Sequence, residues 1–111
     1  MPDFDEDQII VSSPEDMIQV ITKKEYIINI DTPIEDACNY RQVLHVLRTA
    51  TENDTIKVVL NTPGGFLTTA IAIANGLLHT KAKTTAEIVE ACSAGMVIAL
   101  CCDELTIVNH G

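Results

Sequence analysis

The run Ile56-Lys57-Val58-Val59-Leu60-Asn61-Thr62-Pro63-Gly64-Gly65 reads as a short strand that ends in a proline and two glycines. Branched residues with continuous apolar ends favour a buried strand, and Pro-Gly-Gly stops it. Directly after it, Leu67 to His79 carries Ile71, Ala74, Leu77 and Leu78 at helical spacing. Lys81 and Lys83 lie near the C-terminus of that helix, where positive charge is favoured. Strand-like Ala86–Val89 leads into Cys92-Ser93-Ala94-Gly95, then the apolar segment Met96–Cys102 and a last strand at Leu105–Val108. On the N-terminal side, Met17–Ile21 and Tyr26–Ile30 are β-rich runs separated by a turn at Thr22-Lys23-Lys24-Glu25. Thr32-Pro33-Ile34-Glu35 announces a helix: Thr32 as cap, Pro33 at the first position and Glu35 completing a capping box. Ala37, Tyr40, Val43, Leu44, Leu47 and Ala50 carry its apolar stripe to about Thr51, and Glu52-Asn53-Asp54 turns the chain back to Ile56. Strands separated by helices predict an α/β fold built from βαβ units.

Composition narrows the function. The chain has 111 residues, 47% hydrophobic and 21% charged, a globular balance for one domain. Aromatics stop at 4% and tryptophan is absent, which leaves little for stacking on nucleic-acid bases. A net charge of −9 repels phosphate backbones and anionic lipid, so neither a nucleic-acid nor a membrane partner is expected. No apolar run approaches the roughly 20 residues that span a bilayer, and the acidic start MPDFDEDQ is unlike a basic signal sequence. A soluble, cytoplasmic protein is expected. The charge is concentrated in residues 1–36, which carry ten acids against Lys23 and Lys24. Residues 1–16 therefore read as an acidic tail, and residues 17–111 as the α/β domain. Cys38, Cys92, Cys101 and Cys102 form no C-x-x-C pair, so they read as small hydrophobes in a reducing compartment. No metal or cofactor is expected.

Two strand-to-helix junctions could carry chemistry. At Pro63-Gly64-Gly65, glycines opening a helix leave N–H groups uncovered, either as an anion site or simply as a tight turn. No dinucleotide or phosphate-loop fingerprint accompanies them. At Ala91-Cys92-Ser93-Ala94-Gly95, a serine among small residues sits between a strand and an apolar helix. It is either an exposed nucleophile at a helix N-terminus or the N-cap of that helix.

Taken together, with Ser93 falling 28 residues after Gly65, the two junctions resemble the Clp protease proteolytic-subunit family. That family reads strand, Asn-Ser-Pro-Gly-Gly, helix, strand, Ala-Ser-Met-Gly, helix. Here Thr62 stands for the usual Ser and Ala94 for the usual Met. Cys102 to Val108 also looks like the Ala-Asp-Glu-Ile stretch of Clp-like, signal-peptide-peptidase and crotonase-type chains. The resemblance covers about residues 26–111 and implies a layered βαβ spiral of the Clp protease/crotonase-like kind. It further implies Ser93 as catalytic nucleophile, the backbone N–H groups of Gly65 and Ala94 as oxyanion hole, and Gly64 and Gly65 as the edge that aligns an extended substrate.

The resemblance also implies an ATP-dependent serine endopeptidase that cleaves unfolded polypeptides through an acyl-enzyme, working as a homo-oligomeric ring fed by an ATP-driven unfoldase. The family's catalytic His and Asp fall at positions beyond Gly111, so the domain reads as truncated after the nucleophile helix and following strand. His110 matches a polar position ahead of the family's catalytic strand and is not assigned as base, and His45 and His79 read as helix-face residues. A catalytically inactive Clp-like assembly or regulatory subunit is the alternative, and a crotonase-fold acyl-CoA enzyme the third reading, which Ser93 argues against. A Ser-Lys peptidase is weaker, since no lysine is placed as base. The compact, acidic character is compatible with a phage or other mobile-element origin.

Overall fold

The computed structural model describes residues 8–10 and 20–108. Four parallel strands, β3 (Glu25–Ile30), β4 (Thr55–Thr62), β5 (Lys83–Ala91) and β6 (Glu104–Ile107), lie in the order β3-β4-β5-β6. A short antiparallel pair, β1 (Gln8–Ile10) and β2 (Val20–Thr22), forms a separate sheet. Gln8–Ile10 fall within the expected acidic tail and form a strand, while residues 1–7 and 11–16 lie outside the described residues.

The crossovers are a 3₁₀ turn (Ala37–Tyr40) running into α1 (Arg41–Thr49), then α2 (Leu67–His79), then α3 (Ala94–Leu100). Each strand is added beside the one before it, so right-handed crossovers place all three helices on one face of the sheet. Ile28 and Ile30, Ile56, Val58 and Leu60, and Ala86 and Ile88 point to that face and join Leu47, Ile73, Leu77 and Ile98 in a single core. The buried positions alternate along β4, as the period of two requires. This is the expected α/β fold, a parallel sheet alternating with helices.

The first crossover departs from its sequence signals. The helix does not start at Pro33, and Thr32 does not cap it. Asp36 is the cap of the 3₁₀ turn instead, its carboxylate accepting from the Cys38 N–H at 3.0 Å. That hydrogen bond holds the Asp36 carboxyl below its usual pKa. The physical reason is tertiary: Ile34, 2% exposed, pairs through its backbone with the loop after β4. Its N–H donates to the Gly64 carbonyl at 2.8 Å, and its carbonyl accepts from the Phe66 N–H at 3.0 Å. A residue held in extended pairing cannot also form the first turn of a helix.

Two carboxylate and hydroxyl locks, anchored on buried Asp54 and Thr84, fix the remaining turns. The Asp54 carboxylate accepts from the Lys24 N–H at 3.1 Å and the Thr51 N–H at 2.7 Å, tying the start of β3 to the turn before β4. Thr84 and Asp103 exchange hydrogen bonds of 2.9 Å each, joining the start of β5 to the turn before β6.

Candidate active site

The two junctions singled out in the sequence meet in the structure. β4 and β5 run in register from Thr55↔Lys83 to Leu60↔Ile88, after which Asn61 pairs with Glu90 and Thr62 with Ala91. Val89 is left without a partner, a bulge that advances β5 by one residue. A bulge of this kind re-aims the residues beyond it. In this sheet it places Ala91 beside buried Thr62 and delivers the Cys92-Ser93 turn against the glycine loop.

Ser93 sits on that turn at φ 51° and ψ −113°, the single non-glycine residue with positive φ among the described residues. Its hydroxyl makes no capping bond to α3, so the simple N-cap reading fails and the side chain stays exposed. A serine held in a strained turn between strand and helix is the layout in which a hydroxyl is presented clear of its own backbone.

The glycine loop is shaped by close approach. Gly64, at φ 108°, lies so near the turn that a Cβ there would meet the Cys92 carbonyl at 2.8 Å and the Ser93 Cβ at 3.3 Å. Gly65, at φ 152°, lies against the backbone of Ile34, where a Cβ would fall 2.6 Å from the Ile34 nitrogen. Both glycines are therefore required by space as well as by dihedral. The pairing with Ile34 uses the Gly64 carbonyl and the Phe66 N–H. It leaves the Gly65 N–H without an acceptor among the described residues. Ala94 is the first residue of α3, so its N–H has no intrahelical acceptor. The family resemblance implies that these two N–H groups act together; the structure shows that the loop and the turn that carry them are in contact.

Thr62, given no role in the sequence reading, lies between the two junctions. It is fully buried, and its hydroxyl donates to the Thr32 carbonyl at 2.8 Å and accepts from the Gly64 N–H at 3.2 Å. The signal was present in the sequence, since Thr62 is one of two positions that depart from the resembled motif.

The histidines of the described residues lie elsewhere. His45 is on the exposed face of α1 and His79 on that of α2, with the His79 Nδ1 2.7 Å from the Asn75 carbonyl. His110 lies outside the described residues. Among the described residues, no cluster of three His, Cys, Asp or Glu could hold a metal ion. All four cysteines are free. Cys38 and Cys92, read with the others as small hydrophobes, are exposed, Cys92 beside Ser93.

In this parallel sheet a strained serine turn packs against a double-glycine loop. The chain belongs to the ClpP-like SDH-type serine proteinases, whose family model matches residues 9–111. None of the curated proteins matches it significantly. No helix among the described residues is long and apolar enough to cross a membrane.

Proposed function

We propose that this chain is a Clp-type serine endopeptidase subunit that cleaves unfolded polypeptides through an acyl-enzyme at Ser93. The observation that carries the reading is the strained Ser93 turn, with its free hydroxyl, packed against Gly64. In the proposed reaction the Ser93 oxygen attacks the peptide carbonyl, whose oxygen becomes negatively charged and accepts from the Gly65 and Ala94 N–H groups. Removing one such donor elsewhere costs about 10²–10³ in rate. Collapse of the adduct breaks the C–N bond, and the proton taken from Ser93 passes to the leaving amine. Water then releases the acyl group. The base and its orienting acid come from outside the described residues.

Assembly into a homo-oligomeric ring fed by an ATP-driven unfoldase in the cytoplasm belongs to the same proposal and rests on family membership. It is supported by exposed apolar residues at the β6 end of the molecule, Leu100, Leu105 and Ile107, the last 73% exposed. Surface of this kind is commonly buried by a partner. The test is labelling by a fluorophosphonate probe with Ser93→Ala as control, alongside sedimentation of the unlabelled protein. Labelling confined to the wild type supports the reading. A folded, assembled protein that takes no label would overturn it in favour of a structural subunit.

A further inference from the structure

Thr62 stands where every segment of the candidate site converges. Its hydroxyl reaches back to the end of the β3 segment at Thr32 and forward to the Gly64 N–H, at 2.8 and 3.2 Å. Its carbonyl accepts from the Cys92 N–H at 3.3 Å, one residue before the candidate nucleophile. Its methyl group fills the space of an absent side chain, since a Cβ on Gly95 would lie 2.8 Å from Thr62 Cγ2. The side chain is 0% exposed, so its hydroxyl is shielded from water.

From this convergence we propose that Thr62 is a positioning residue, which sets the separation between the Gly64-Gly65 loop and the Ser93 turn. The hydroxyl sets the position of the loop, whereas the methyl fills the space beside Gly95 at the first turn of α3. Serine would supply the first function without the second, and valine the second without the first. The two substitutions therefore separate them. The inference rests on the proposed role of Ser93 for its catalytic meaning, whereas the geometry it describes can be read without activity.

Thr62→Val and Thr62→Ser are to be compared by amide hydrogen exchange at Gly64, by urea unfolding and by the fluorophosphonate labelling rate at Ser93. Thr62→Val keeps the shape and removes the hydroxyl. Exchange at Gly64 is expected to speed by about tenfold relative to global unfolding, the effect of losing one buried hydrogen bond. Labelling is expected to fall by about tenfold or more, because a displaced donor loop no longer meets the developing charge. Thr62→Ser is expected to restore both to within about threefold of the wild type, even though it loses a buried methyl group and some stability. Equal losses in both variants, in proportion to their stabilities, would reduce Thr62 to a packing residue and overturn the inference. A wild-type protein that takes no label removes the catalytic reading of Ser93. The Gly64 exchange comparison still decides whether the Thr62 hydroxyl holds the loop.

Discussion

Replacing Ser93 by glycine is expected to stabilise the protein while abolishing any nucleophilic chemistry. At φ 51° and ψ −113°, Ser93 occupies a region that a residue with a Cβ enters only under strain. Strain of this kind costs about 1–3 kcal/mol. Glycine adopts the conformation freely but costs about 0.5–1 kcal/mol more in chain entropy on folding. The difference leaves Ser93→Gly more stable than Ser93→Ala by about 1 kcal/mol, within a range of about 0–2.5 kcal/mol. Alanine is the right reference because it also lacks the hydroxyl yet keeps the Cβ. Ser93→Ala itself should stay within about 0.5 kcal/mol of the wild type, because the side chain is exposed and does not cap α3. The assay is urea unfolding of the three proteins under one buffer condition, supported by thermal melts. A difference of 1 kcal/mol corresponds to about 4 °C in a domain of this size. If Ser93→Gly is no more stable than Ser93→Ala, the turn is not strained in solution, and the argument that strain presents the hydroxyl fails.

Gly65→Ala should be far more disruptive than an ordinary surface change. Its Cβ would overlap the Ile34 carbonyl oxygen and lie 2.6 Å from the Ile34 nitrogen, both backbone atoms. A loss of more than about 2 kcal/mol in urea unfolding is expected. A near-neutral result would mean that the Ile34 pairing is dispensable. Gly95→Ala meets Thr62 Cγ2 at 2.8 Å and should destabilise by about 1–3 kcal/mol. The same change in a Thr62→Ser background should cost at least about 1 kcal/mol less, because the obstructing methyl is gone and alanine favours the helix. Strict additivity in the double-mutant cycle would show that the two side chains do not meet. Burial pushes the Cys102 thiol up to about 11, with Cys101 and Asp103 adding to the shift. Its folded pKa lies above its ordinary value, so the associated stability is present at neutral pH and is lost as pH rises toward 11. Iodoacetamide at pH 8 should modify exposed Cys92 at least about tenfold faster than Cys102. Comparable rates, read by peptide mapping, would contradict the burial of Cys102.

What could be read in advance divides along physical lines. The Leu67–His79 helix has the bounds that its apolar spacing predicted, because that spacing and the glycines before it act within one segment. The α1 boundary failed for the opposite reason. Thr32, Pro33 and Glu35 carry sound local signals, but Ile34 is claimed by Gly64 and Phe66 some thirty residues away, which no local rule sees. The bulge at Val89 was equally invisible, since a skipped partner depends on the neighbouring strand and leaves no mark of its own. At Ser93 the sequence left two roles open. The backbone decides against capping, because a residue at that φ and ψ does not turn its side chain back to the helix.

The site segments recur along the chain at an even interval. Thr32 meets Thr62 across 30 residues, and Thr62 meets Cys92 across the same distance. Each piece is delivered by the next βα unit to dock, so the platform grows one layer at a time. The cost of closing a loop rises only logarithmically with its length, and two moderate closures in succession ask little of the chain at either step. A chain that folds from its N-terminus can therefore set the glycine loop against β3 before the Ser93 turn docks. The strained turn would then be laid onto a finished mould.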